Sequence, residues 1–222
     1  MKKNKFKELE TIKEFLLENY INLFSNNKST NDGRLESASF EDIITNFLLE
    51  NKEVFDFNIS VPNIREWFDL KIICKNGEIK YVNIKATNMK SSDNSSNFRS
   101  LLYTYTNTEE DFFNNTNNNR KKDYLKLIDC VLNKDFSNDR DYYFLVFDKL
   151  KNNIIINSLR YLNDITFNNS NLPFQINWSK NNEFTQDEKT LKFYLDGINS
   201  KMNENSFDLL YIKNYDIINK LL

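Results

Sequence analysis

Histidine is absent from all 222 residues of the chain. That removes imidazole general bases, Ser-His-Asp and Cys-His hydrolases, HExxH proteases and histidine-metal finger nucleases. Glycine occurs 3 times and proline 2. Neither Gly-x-x-x-x-Gly-Lys-Ser/Thr nor Gly-x-Gly-x-x-Gly is present, so no nucleotide cofactor is expected. The 2 cysteines, Cys74 and Cys130, lack the paired spacing of a disulfide framework or a zinc site. No run approaches the ~18 apolar residues of a membrane span. Met1 to Glu8 leads into an amphipathic helix rather than an apolar signal core, so the expectation is a cytoplasmic protein with no membrane partner. Any chemistry must run on carboxylates, amides, lysines and metals bound by oxygen.

Hydrophobic residues make up 40% of the chain and aromatics 14%, enough for one sizeable core rather than a disordered polymer. Asparagine is very abundant, at 38 residues. An AT-rich gene accounts for that better than a surface suited to adenine edges does. The net charge of −2 argues against a polycation that coats nucleic acid, but is compatible with a DNA enzyme whose charge is segregated. Arg120-Lys121-Lys122 and the series Lys85, Lys90, Arg99 could form a local basic rim, although each run alone reads as a solvated face.

Apolar side chains at Ile12, Phe15, Leu16, Tyr20, Leu23 and Phe24 predict a helix over 6–25. A second helix is predicted from Ser39 to Asn51, with Ser39 as N-cap and Asp42 three residues on. Its stripe is Phe40, Ile43, Ile44, Phe47 and Leu48, and Glu41 falls about 20° from Leu48, leaning toward the core boundary. Alternation over 53–60 predicts a half-buried strand. Residues 66–87 read as a hairpin, 91–97 and 107–122 as polar loops, and 101–105 and 122–132 as helical. Tyr142 to Phe147 reads as a central strand buried on both faces, followed by a strand over 153–157 and helices over 185–200 and 206–222. The expected fold is α/β: a single domain over 1–222, with a central mixed sheet flanked by helices. Its core spans about 36–160, and 161–222 is a helical subregion that is a candidate for contact with a partner.

The hairpin carries the chemistry. Two triplets of the acid-x-Lys type compete, Glu78-Ile79-Lys80 and Asn83-Ile84-Lys85. Glu78 lies about 30 Å from Asp69 along an extended strand, too far to share one metal, whereas Asn83 lies across the strands from it. A two-residue Asn76-Gly77 turn would pair Asp69 with Ile84. A three-residue Lys75-Asn76-Gly77 turn with Gly77 left-handed pairs Asp69 with Asn83, sets Leu70 against Val82 and Phe68 against Ile84, and leaves Cys74 in the core. The apolar matching favours the second register, which projects Asp69, Asn83 and Lys85 from one face. Asp69 is then a ligand for Mg²⁺, with the Asn83 amide oxygen and the Ile84 carbonyl completing part of the shell. Lys85 orients water or stabilises charge on a phosphate, and Glu41 anchors the site or helps to hold a second metal. The alternative is an ordinary cross-strand ion pair between Asp69 and Lys85.

Phe40-Glu41-Asp42-Ile43-Ile44, then Asp69, then Val82-Asn83-Ile84-Lys85 resembles the PD-(D/E)XK nucleases, specifically the type II restriction endonucleases. Ser92-Asp93-Asn94 before Leu101-Leu102-Tyr103 resembles a post-catalytic segment of some of these enzymes. Asn169 to Trp178 resembles a C-terminal Asn- and Gln-containing stretch. The pattern departs from the family in having Phe68 before Asp69 and Asn83 in place of an acid. The resemblance implies a restriction-endonuclease-like core, with Asp69, Asn83 and Lys85 as the metal and catalytic set and Glu41 auxiliary. It implies Mg²⁺-dependent hydrolysis of both strands of a short double-stranded DNA site by a homodimer. Lys90, Asp93, Asn94, Arg99, Asn171, Gln175 and Asn177 are the candidate DNA contacts. A repair or junction nuclease, or a DNA-binding antiphage protein without activity, are the alternatives on the same core.

Overall fold

The computed structural model describes residues 5–19, 33–62, 66–90, 93–96, 98–115, 120–149, 151–168 and 174–201. In chain order the elements are α1 (Lys7–Glu18), α2 (Gly33–Glu50), β1 (Asn58–Ser60), β2 (Leu70–Ile73), β3 (Ile79–Thr87), β4 (Asp93–Ser96), α3 (Phe98–Tyr105), α4 (Glu110–Asn115), α5 (Arg120–Leu132), β5 (Tyr142–Asp148), β6 (Asn153–Ser158), β7 (Ile165–Phe167), β8 (Phe174–Ile176) and α6 (Leu191–Asn199). They group into two compact units, Met1–Ser91 with Tyr143–Asn157, and Ser92–Tyr142 with Ser158–Leu222.

The first unit is built on a five-stranded sheet in the order β1-β2-β3-β5-β6. β1, β2 and β3 are antiparallel neighbours. Lys149 N–H, just past β5, donates to the carbonyl of Thr87 at the end of β3 (3.0 Å). The C-terminal ends of β3 and β5 therefore meet, their pairing is parallel, and the sheet is mixed as expected. Every residue of β5 is buried, in keeping with the continuous apolar run of an interior strand. Helices flank the sheet. Leu9, Ile12 and Leu16 of α1, and Phe40, Ile44 and Leu48 of α2, are buried at the predicted helical spacing. Phe15 stacks on Phe47 at 5.5 Å, and Phe40 meets Phe147 of β5 edge-on at 5.6 Å.

α2 starts at Gly33 rather than at Ser39, so Ser39 is inside the helix and is not its cap. Arg34-Leu-Glu-Ser-Ala contains no breaker and several good helix formers, so nothing stops propagation toward the N-terminus. The strand predicted over 53–60 is shorter. A 3₁₀ turn occupies Lys52–Val54 and pairing begins at Asn58, although Phe55, Phe57 and Ile59 are buried in the expected alternation.

The second unit carries a sheet that the sequence did not suggest, three strands in the order β4-β8-β7. Residues 93–96, expected in a loop, pair with β8, Asp93 opposite Ile176 and Asn94 opposite Gln175. Residues 110–115, also expected in a loop, form α4. All eight residues of α3 are buried. Arg160, itself buried, donates to the carbonyls of Arg140, Thr104 and Ser137 at 2.8–2.9 Å and ties three chain segments together. The predicted helix over 185–200 is confined to Leu191–Asn199, where the Thr190 hydroxyl caps the N–H of Phe193. The helix predicted over 206–222 lies outside the described residues.

Candidate active site

The hairpin adopts the register that its apolar residues favour. Leu70 pairs with Val82, Lys71 with Tyr81, Ile72 with Lys80 and Ile73 with Ile79; just before this paired stretch the Asp69 N–H donates to the Val82 carbonyl (2.9 Å). Cys74 N–H donates to Glu78 O (2.8 Å) and Gly77 N–H to Cys74 O (2.9 Å), closing a three-residue turn. Gly77 has φ +83° with open space where a Cβ would stand. The demand on this glycine is conformational and not steric. Gly77→Ala should therefore lower stability by about 1–2 kcal/mol, with Gly77→Asn losing less, in equilibrium urea unfolding.

Leu70, Val82 and Ile84 are fully buried, and their phase puts Asp69, Asn83 and Lys85 together on the other face of the strands. Asp69 Oδ2 accepts a hydrogen bond from the Ile84 N–H (2.8 Å). Its Oδ1 makes no hydrogen bond among the described residues. Among the described residues Asn83 Oδ1 is buried without a hydrogen-bond partner, a cost of about 1–3 kcal/mol for a group withheld from water. Lys85 bonds to Glu41, with Nζ 3.3 and 3.4 Å from the two carboxylate oxygens. The simple cross-strand pair of Asp69 with Lys85 is thus not the arrangement found. α2 brings Glu41 over this face because its apolar stripe packs inward and leaves Glu41 at the edge, half-buried.

Both acids carry raised pKa values. Burial pushes the Glu41 carboxyl up against the opposing pull of Lys85, and the negative charge of Asp69 adds to the rise. Burial likewise raises Asp69, opposed by Lys85 and by the Ile84 N–H, while Asp42 pushes it further up. Two carboxylates held close in a partly dry setting resist ionisation, and a cation between them relieves that. Asp42 belongs to this electrostatic set, whereas the sequence pattern marked it only as a capping residue. Its one signal was adjacency to Glu41. Trp67 and Phe68, each 4.6 Å from the Tyr81 ring, extend the aromatic surround of the hairpin.

A donor set of one carboxylate oxygen without a partner, one buried amide oxygen without a donor and a second carboxylate nearby fits a hard cation such as Mg²⁺. Among the described residues no group of three or more His, Cys, Asp or Glu gathers. The fit therefore depends on the amide.

The rival triplet has a different role. Lys80 is 1% exposed and bonds to Glu8 Oε2 and the Lys5 carbonyl, both at 2.6 Å, with Glu78 3.7 Å away. It is an internal tie to α1 and more than a turn feature. Burial pushes the nearby Cys74 thiol up to about 11, so this cysteine is an inert core residue.

The candidate DNA contacts divide. Arg99 is 1% exposed; its Nε meets both oxygens of Asp123 at 3.2 Å and Nη1 donates to Phe113 O. That burial corrects its assignment to a basic rim, because its charge is consumed inside the second unit. Lys90 is exposed. Asn94 and Gln175, 81 positions apart, are register partners on β4 and β8, with Asp93 beside them. Asn177 Oδ1 accepts from the backbone N–H and hydroxyl of Ser179 and caps a 3₁₀ turn. Asn171 lies outside the described residues. No helix of the described residues is long and apolar enough to cross a membrane. Comparison of the chain with protein-family models, with curated proteins and with solved structures finds no match in any of the three.

Proposed function

We propose that the protein is a Mg²⁺-dependent endodeoxyribonuclease of the restriction type, hydrolysing phosphodiester bonds in both strands of a short double-stranded DNA site. The observation that carries this reading is the buried Asn83 Oδ1, donorless among the described residues, next to Ile84, whose N–H holds the Asp69 carboxylate, with Lys85 two residues along the same strand. An amide oxygen is withheld from water there with nothing to accept from, which is the condition a bound cation would relieve. Asp69 Oδ1 and Asn83 Oδ1 would hold the metal, with the Ile84 carbonyl as a further donor. Bound there, Mg²⁺ supplies charge stabilisation to a phosphate and a more acidic water. Asp69 is oriented for this by the Ile84 N–H, which fixes one carboxylate oxygen and leaves the other free. Lys85 presents an ammonium to the water or to charge developing on the phosphate. The protein is read as acting in the cytoplasm as a homodimer, whose two-fold would match that of a palindromic site.

A second reading is a DNA-binding protein on the same core that does not cleave. The neutral Asn83 favours it, since an amide binds a divalent cation more weakly than a second carboxylate. Incubation with phage or plasmid DNA in Mg²⁺ or Mn²⁺, followed by sequencing of the fragment ends, separates the readings. Discrete fragments sharing one short terminal sequence are expected, and a chelator should abolish them. Ends at branch points or lesions would mean a repair nuclease. Intact DNA bound at one sequence would mean the inactive protein.

A further inference from the structure

We propose that Lys85 and a divalent cation compete for the Glu41 carboxylate, so that the Lys85–Glu41 ion pair must open for metal to bind, and Glu41 supplies the charged ligand that position 83 does not. This rests on the reading of Asp69 and Asn83 as metal ligands. The ion pair is loose. Its two contacts of 3.3 and 3.4 Å exceed the 2.7–2.9 Å usual for charge-assisted bonds. Both side chains remain about a quarter exposed, at 23% and 24%, so little stability is lost on opening it.

Three side chains bring oxygens to this part of β3. Asp69 Oδ1 makes no hydrogen bond among the described residues, and its companion Oδ2 is fixed by Ile84. Asn83 Oδ1 is buried and donorless among the described residues. Glu41 reaches the same strand face by its bond to Lys85, which stands two residues from Asn83 on β3. The charges of Glu41 and Asp69 act on one another. A dication brings two charges to a place where the ammonium brings one, and a hard cation is ordinarily held by one or two carboxylates. Displacement has a second consequence. Once Glu41 turns to metal, the Lys85 ammonium is released, and metal loading and the arming of Lys85 become one event.

The test is Mn²⁺ affinity without DNA, measured by calorimetry or by the spin-resonance signal of free Mn²⁺, on wild type and variants whose melting curves show them folded. Lys85→Met should tighten Mn²⁺ on the order of tenfold, and Glu41→Gln should weaken it by a similar factor. Lys85→Met placed on Glu41→Gln should add nothing, because the carboxylate it frees is gone. Lys85→Arg, which keeps the pair, should bind as wild type does, and Lys85→Gln provides a second neutral variant. No tightening in Lys85→Met and Lys85→Gln overturns the proposal. So does a gain that persists without Glu41, which would be mere removal of a repelling charge. If Mn²⁺ binding is absent throughout, or is untouched by Asp69→Asn, the metal reading of the site fails with it. Asp69-dependent binding that is indifferent to Lys85 defeats only the competition.

Discussion

Replacing Lys85 by alanine should slow DNA cleavage roughly 10²–10⁴-fold, the range for losing a positioned proton-transfer or charge-stabilising group, while the protein stays folded. Its ion pair with Glu41 is partly exposed, and such pairs contribute about 0–1 kcal/mol. Asp69→Asn should abolish cleavage too, and with an opposite sign on stability from that of a structural acid. The folded protein holds the Asp69 pKa above its ordinary value, chiefly through burial. A carboxyl shifted up on folding contributes stability below its unfolded pKa and loses it as pH rises through the folded one. At neutral pH its charge therefore costs stability, and an uncharged amide at this position should raise the melting temperature measured in chelator. The Ile84 N–H would still find an acceptor in that amide. A function-for-stability exchange of this kind is expected where a fold keeps an acid for chemistry. Cleavage assays and thermal melts on the two variants check both halves.

Arg99→Ala should cost about 3–5 kcal/mol, because it leaves a buried carboxylate without its partner. The Arg99 Nε spans both oxygens of Asp123, whose side chain is 1% exposed, and Nη1 satisfies the Phe113 carbonyl. The variant should unfold at markedly lower denaturant concentration. Any loss of DNA binding should follow the folded fraction and not the salt concentration. Were Arg99 a phosphate contact, the variant would instead fold normally and show a shallower salt dependence of binding. Removing both charges, as in Arg99→Met with Asp123→Leu, should recover much of the loss, since a well-packed apolar pair often replaces a buried ion pair at little cost.

The parts of the site that were legible in the sequence are those set by short-range geometry. The hairpin register follows from matching Leu70 with Val82 and from a glycine available for a positive φ at 77. The approach of Glu41 follows from its angle to the stripe of α2. What escaped depends on partners far along the chain. Lys80 reads only as part of a rival triplet until Glu8, 72 positions earlier, closes over it. Arg99 reads as basic surface until Asp123 is placed beside it. Asp-Asn-Ser-Ser over 93–96 has the composition of a loop, and only its pairing with β8, some 80 residues on, makes it a strand. Tertiary context overrode propensity there.

Anomalous diffraction from crystals soaked in Mn²⁺ tests the metal reading most directly. One manganese peak is expected at this face of the hairpin, with Asp69 Oδ1 and Asn83 Oδ1 both at roughly 2.1–2.3 Å and Lys85 withdrawn from Glu41. A peak elsewhere, or an Asn83 amide turned from Asp69 and hydrogen-bonded within the protein, would contradict it.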